Sequence, residues 1–382
     1  MNREDLIIYI MVLGTFGILS TEMGVVGILP QIAQYFNVSI TQAGLFVSMF
    51  SLTIAIFAIF MPVIFSKYER KKTFLLVLTI FTVFTTIGAF VHDFNIALIC
   101  RIIPAMFHPI YCSISMTVAA EIVEPEKTQS AVSKVIMGVS AGMIIGVPIT
   151  TFIATNFGYQ YAMLWFAIIN LIVLILTLIF FPKIPGKEQS YLDQVSVAKT
   201  GVFIISVLGV IFLNAGLYTG YSYISEFLGT LTHIAGTNLS IVLFIYGVAS
   251  IIGNWLGSRL LVKDARKLVL LSPIIISLIL LGVFIACNNA IPTIIFMALW
   301  GLLAGIFNDI SQYWMVSSAP QAPEFANGIF LSMGNVGVTL GTTLAGIVVA
   351  GIGIRYVMLF AILVLMLDLI LLFTRTKRYD ID

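Results

Sequence analysis

Apolar residues come in long unbroken runs along this chain, and polar residues collect in the short gaps between them. The runs lie near residues 6–30, 43–65, 73–91, 96–119, 131–154, 161–181, 201–225, 239–261, 268–287, 291–317, 325–349 and 355–373. A helix needs about 20 mostly apolar residues to cross a bilayer, so the pattern predicts an all-α membrane protein with twelve transmembrane helices. The first run is longer than the roughly 7–15 residues of a signal-peptide core, and no small-residue cleavage site follows it. It is therefore expected to remain as a spanning helix. The longest polar stretch, residues 182–199, separates an N-terminal six-helix bundle (1–181) from a C-terminal one (200–382) and is expected to be a cytoplasmic linker.

Charge gives the spans a direction. With the N-terminus placed inside, 17 of the 19 Lys and Arg residues fall in cytoplasmic segments, leaving Arg355 outside and Arg101 within a span. Positive charge accumulates on the cytoplasmic side, so both termini are expected in the cytoplasm and the protein in the cell's inner, cytoplasmic membrane. Composition agrees: 60% of the residues are hydrophobic and 9% charged, where a soluble domain carries about 25% charged.

The two halves share a pattern. At an offset of 195 residues, Gly142 and Gly146 fall on Gly337 and Gly341, and Pro125 falls on Pro320. Glu69-Arg-Lys-Lys72 falls on Asp264-Ala-Arg-Lys267, and Gly158, Tyr161, Met163 and Leu164 fall on Gly353, Tyr356, Met358 and Leu359. Six helices per unit insert both copies the same way up, an arrangement of transporters whose halves rock about a midplane site. The charges are not duplicated. Leu217, Phe296 and Ile114 stand where Glu22, Arg101 and Asp309 would repeat, so the halves share a scaffold but not their chemistry.

Ionisable groups in a bilayer cost roughly 2.5–3.5 kcal/mol each on insertion scales, so each calls for a reason. Glu22 lies some 16 residues into the first run. Burial and a neighbouring cation act in opposite senses on a carboxyl, which would let Glu22 exchange a proton; a structural glutamate hydrogen-bonded across helices is the other reading. Arg101 is at similar depth and opposite in sign, making it a candidate partner, against the reading that it snorkels to the outer interface. His108, seven residues on, shares Arg101's face and is a candidate for substrate contact or for plain packing.

Asp309 in the tenth run is a third proton-coupling candidate. Asn308 and Gln312, four residues apart, share a face and would form a polar patch facing something other than lipid. Asn214, Tyr218 and Tyr221 form a polar-aromatic stripe on the seventh helix, suited to lining a cavity or to the outer aromatic belt, with Tyr221 nearer the belt. Asp368 reads as interfacial. Gly138, Gly142 and Gly146 allow close helix approach and Pro148 can bend their helix, which together suggest a movable seam between the halves or static packing.

Over essentially its whole length the sequence resembles the major facilitator superfamily. Lys71-Lys72 followed by Leu75 matches the tail of that superfamily's loop motif G-x-L-a-D-r-x-G-r-k-x-x-l, with Val63, Lys67 and Arg70 in place of Gly, Asp and Gly. Arg101 stands at the arginine of l-x-x-x-R-x-x-q-G, with Pro104 and Ala105 replacing Gln and Gly. The fifth-helix glycines with Pro148 are similar to the antiporter motif g-x-x-x-G-P-x-x-G-G, one residue being inserted before the proline. Thr21-Glu-Met-Gly-Val-Val-Gly-Ile-Leu-Pro-Gln31 looks like the first-helix signature of the twelve-helix drug:proton antiporters. Gly146-Val-Pro148, Tyr221-Ser-Tyr223, Ala326-Asn-Gly328 and Gly334-Asn335 look like their sugar-efflux (arabinose-efflux-permease-like), chloramphenicol-efflux and purine-efflux branch. The resemblance implies a part for Arg101 in proton coupling, an anti-leak role for the glycines, a gating role for Lys71 and Lys72, and a monomer.

The expected function is proton-coupled efflux of a small organic molecule by alternating access, with uptake by proton symport as the rival. A membrane enzyme would need a nucleophile–base pair or metal-ligand set, and none is visible; no filter-like loop suggests a channel. The three cysteines lack CxxC spacing and no G-x-x-x-x-G-K-[ST] loop exists, so neither a metal nor another cofactor is expected. The expected partners are a small substrate, protons and the lipid bilayer, and not nucleic acid. Sugars, purine-like metabolites, phenicols and other amphipathic drugs all fit.

Overall fold

The computed structural model describes residues 3–187, 199–321 and 323–379; most of the 182–199 stretch, residues 188–198, lies outside them. The described chain is helical without a strand. The spanning helices are α1 (Arg3–Met23), α2 (Leu45–Phe57), α3 (Arg70–Phe90), α4 (Phe94–Glu121), α5 (Thr128–Phe157) and α6 (Tyr159–Phe180), followed by α7 (Gly201–Tyr221). The helical stretch Thr237–Ala286 breaks at Asp264, whose backbone is extended (φ −160°, ψ 83°), giving α8 before the break and α9 after it. Next come α10 (Ala290–Val316), α11 (Pro323–Gly351) and α12 (Val357–Arg378). Among the described residues eleven helical stretches are long and apolar enough to span a membrane; counting both sides of Asp264 makes twelve.

Local chemistry sets the ends. Asp93 caps α4 by accepting from the Ile96 amide at 2.9 Å, and Thr200 caps α7 by accepting from the Phe203 amide at 3.3 Å. Asp264 accepts from the Lys267 amide at 2.9 Å and so starts α9 afresh. Such caps satisfy amides that have no partner within the helix. Leu178, Ile179, Ile285 and Ile370 are exposed, as expected where the outer solvent is hydrocarbon.

By contacts the described residues form two units, 3–38 with 56–187, and 39–55 with 199–321 and 323–379. In the first, α5 lies against α1 along its glycine stripe. A Cβ added at Gly142 would sit 2.6 Å from the Phe16 carbonyl oxygen and 2.8 Å from the Leu19 Cβ. In the second, a Cβ at Gly337 would sit 2.5 Å from the Ile211 carbonyl oxygen and 2.6 Å from the Asn214 Cβ. Ile211 and Asn214 are Phe16 and Leu19 moved by 195 residues, so the repeat seen in the sequence is a repeated helix contact.

This corrects one expectation. The glycine seam does not run between halves: Gly138, Gly142 and Gly146 meet Val12 and Thr15, Phe16 and Leu19, and Ser20 of the same unit. Pro148 continues this helix inside the unit.

In the second unit, residues of α2 take part in the packing. Ser332 donates to the Ala55 carbonyl at 2.5 Å and Thr339 to that of Ser48 at 3.3 Å.

Candidate functional site

Glu22 sits one residue before the end of α1, where the backbone passes from α to 3₁₀ geometry over Gly24–Ile28. Such a change disturbs the i→i−4 ladder and puts carbonyl oxygens at risk of standing unpaired in an apolar interior. Arg101 of α4 meets that need: its Nη1 donates to the Thr21 carbonyl at 2.7 Å and its Nη2 to the Glu22 carbonyl at 3.4 Å. The Thr21 hydroxyl donates to Gly17 O at 2.7 Å, and Asn170 of α6 donates to the Thr21 hydroxyl at 3.1 Å. Three polar side chains from three helices converge on one turn.

The Glu22 carboxyl itself meets His108. Oε2 lies 3.0 Å from Nε2, and exposures of 6% for Glu22, 5% for Arg101 and 7% for His108 seal the cluster from its surroundings. Arg101 therefore does not snorkel, and its described bonds to Glu22 go to the backbone. Sequence spacing had paired the two by depth and sign; the two-turn separation of Arg101 and His108 on α4 instead gives one the backbone and the other the carboxyl. Asn170 was missed. Its signal was an amide in the middle of an apolar run.

In the second unit the predicted residues divide. Asn214 donates to Val210 O at 2.8 Å and to the Ser311 hydroxyl of α10 at 3.3 Å. Tyr218 meets Tyr221 edge-on with ring centroids 6.2 Å apart, and Tyr221 stacks on Tyr246 at 4.7 Å. Trp300, fully buried, meets both Tyr221 and Tyr246 edge-on. Tyr221, the last residue of α7, thus belongs to an aromatic cluster shared with α8 and α10. Tyr246 and Trp300 were passed over because each is one aromatic among several in its own apolar run.

Asn308 and Gln312 are exposed together, Gln312 donating to Asn327 at 3.2 Å. Asp309 is half-buried and turned to α8, where a Cβ on Gly257 would lie 2.8 Å from its Oδ2. Asp368 overturns its expected place at the interface: it is fully buried, with both carboxyl oxygens lacking a hydrogen-bond partner among the described residues.

In the first turn of α3, Lys71 donates to Leu178 O at 2.9 Å and Lys72 lies 3.8 Å from Glu69, both lysines being exposed or nearly so. The buried cation there is Arg70, which donates to Ser66 O at 2.9 Å. Two cavities stand apart from all these residues. One of about 490 Å³ is lined by Gln31, Gln34, Tyr35, Thr155 and Tyr159, the other of about 280 Å³ by Thr41, Ser48, Tyr223 and Thr342 among others.

The Major Facilitator Superfamily model matches residues 11–323 and 204–381. The chain belongs to this superfamily. As a Major Facilitator protein it is a multi-pass membrane transporter and not an enzyme. It is 27% identical over 368 residues to the inner membrane transport protein YdhP of Escherichia coli K12, covering 96% of this chain and 95% of that one. A probable sugar efflux transporter of Helicobacter pylori P12 is 24% identical over 351 residues, covering 92% and 90%. Among solved structures, the nucleoside transporter NupG superposes with a TM-score of 0.78 over the full length of both chains at 17% identity, a likeness of fold. The superfamily accounts for the all-α, duplicated architecture.

Proposed function

We propose that this transporter exports a small organic molecule (a drug, a sugar or a purine-like metabolite) across the inner membrane in exchange for protons. Alternating access is its route, Glu22 carries the proton, and both termini are cytoplasmic. The observation that carries this reading is the sealed contact between the Glu22 carboxyl and His108, with Arg101 fastening the backbone beside it. A carboxylate there faces the His108 imidazole, beside a turn whose carbonyls Arg101 holds; adding a proton removes the negative charge from that contact. Such a group couples transport when its proton affinity differs between the two access states. The 3₁₀ break beside Glu22 supplies a segment whose geometry can respond.

The substrate class follows from the aromatic cluster. Rings of Tyr218, Tyr221 and Tyr246, backed by the buried Trp300, suit a flat base or the C–H face of a sugar, and Asn214 supplies an amide. The efflux name of the Helicobacter relative favours export.

The test is transport in reconstituted vesicles with an imposed pH gradient, using labelled arabinose, hypoxanthine and chloramphenicol. Accumulation of any of these against an opposing proton flow, abolished by Glu22→Gln, is the expected result. Movement in the same direction as protons would establish uptake by symport instead. Proton movement indifferent to Glu22→Gln would remove the coupling assignment.

A further inference from the structure

The proposed mechanism leaves one buried acid unused. Asp368, in the middle of α12, is 0% exposed and makes no hydrogen bond with a described residue. Across from it the indole Nε1 of Trp314, also buried, is equally without a partner. The two border one small space above Gly209 of α7: a Cβ on that glycine would lie 3.0 Å from Trp314 Nε1 and 3.7 Å from Asp368 Oδ1. Two turns further along α12, Arg375 fastens the tryptophan. Its guanidinium donates to the Trp314 carbonyl and, at 2.8 Å, to the Ser317 hydroxyl, and lies 3.9 Å from the indole ring centre.

Packing does not require this acid. Moved back by 195 residues, Asp368 becomes Val173, which is also fully buried, and Gly209 becomes Gly14. The same position in the duplicated scaffold carries a hydrocarbon in the other unit, where Gly14 faces the Tyr111 ring instead. An unpaired buried polar group is destabilising, and an ionised one more so, so a carboxyl where valine suffices calls for a use.

We propose that Asp368 is a second proton-carrying residue of the transporter, with the Trp314 indole N–H across Gly209 as the donor that receives its ionised form. This rests on the proton-coupled reading above. The step is a simple protonation: a proton joins one carboxyl oxygen to give the acid, which fits the partnerless space, and no other bond breaks. On release the anion needs a donor, and the indole N–H that shares the approach to Gly209 is the one at hand. Few other charges bear on it. Helix α7 has no titratable residue from Gly201 to Leu217, and the described side chains of α11 have none. Asp309 and Tyr313 come from α10; Arg266 and Lys267 begin α9 and are exposed; Arg355 and Tyr356 lie in the 3₁₀ turn before α12.

The purified full-length protein in lipid is titrated between about pH 5 and 9 while infrared difference spectra and tryptophan fluorescence are recorded, so no substrate is needed. The wild type is expected to show the carbonyl stretch of a buried protonated carboxyl that disappears with rising pH, together with a fluorescence change. Both signals should be lost in Asp368→Asn and in Asp368→Val, the latter placing the repeat's own residue there, and both should survive in Glu22→Gln. Signals unchanged in the Asp368 variants would overturn the proposal while leaving Glu22 untouched. The vesicle assay separates the two failures: Glu22→Gln behaving as wild type defeats the coupling reading, whereas Asp368→Asn retaining full pH-gradient drive defeats only the second carrier.

Discussion

Glu22 Oε2 lies 3.0 Å from His108 Nε2, on a turn whose carbonyl oxygens are held by Arg101. A carboxyl–imidazole contact inside a bundle is a place where one proton changes the charge of both partners. His108→Gln keeps a polar side chain but removes the imidazole. We expect it to weaken the coupling of substrate movement to the pH gradient by about tenfold, the size of a 1.4 kcal/mol change, with substrate binding retained. The measure is counterflow of bound substrate, which needs no gradient, set against gradient-driven uptake in the same vesicles. Equal loss of both would make His108 a packing residue.

Arg101 acts on the backbone, which gives its replacement a distinct outcome. Lysine is a compact charge that cannot reproduce a planar fork's simultaneous donation to two carbonyl oxygens. Arg101→Lys should therefore leave at least one of the Thr21 and Glu22 carbonyls unsatisfied, at a cost of about 1–3 kcal/mol. A lower melting temperature in detergent, alongside impaired transport, is the expected result. Full stability with transport lost would mean that the guanidinium acts on substrate or proton directly.

Duplication makes a sharper stability prediction. Because Gly142 and Gly337 face equivalent carbonyls, Phe16 O and Ile211 O, at 2.6 and 2.5 Å from an added Cβ, Gly142→Ala and Gly337→Ala should destabilise their units similarly. Overpacking of this kind costs about 1–3 kcal/mol. Gly229, where an added Cβ meets nothing within 4 Å, is the control and should tolerate alanine. Thermal unfolding of the three variants decides it; a tolerated Gly142→Ala would mean that α1 and α5 are not held at this distance.

Much of the frame could be read from the chain because lipid imposes a simple rule on it: apolar runs of spanning length, with cations gathered in the gaps. The break at Asp264 was legible too, since its loop is the repeat of Glu69–Lys72. Partner choice was not legible. Depth and opposite sign led from Glu22 to Arg101, yet a long guanidinium can reach past a side chain to the backbone, and only the 3₁₀ break after Met23 makes those carbonyls needy. Asp368 was misread for the opposite reason. Nearness to the end of a run suggested headgroups, but α12 continues to Arg378, carrying the acid inside against Gly209. The aromatic cluster lay in three separate helices, so no local spacing could assemble it from Tyr218 and Tyr221 alone.

That cluster offers the test of where substrate binds. Tyr221 and Tyr246 stack at 4.7 Å with 20° between their planes, while Trp300 closes the edge of both. Removing a buried aromatic to alanine would cost about 3–5 kcal/mol of stability, obscuring any effect on binding. Phenylalanine keeps the ring and removes only the hydroxyl. For a hydroxyl-rich or heterocyclic substrate, Tyr218→Phe and Tyr246→Phe should raise the half-saturating concentration by about 2–12-fold, since a hydrogen bond is worth about 0.5–1.5 kcal/mol. The maximal rate should change little. Phenylalanine at Trp300, which is fully buried, should instead lower stability without a selective effect on affinity. If both tyrosine variants transported arabinose, hypoxanthine and chloramphenicol with unaltered concentration dependence, the cluster would be core packing, and the substrate site would have to be sought nearer Asn308 and Gln312.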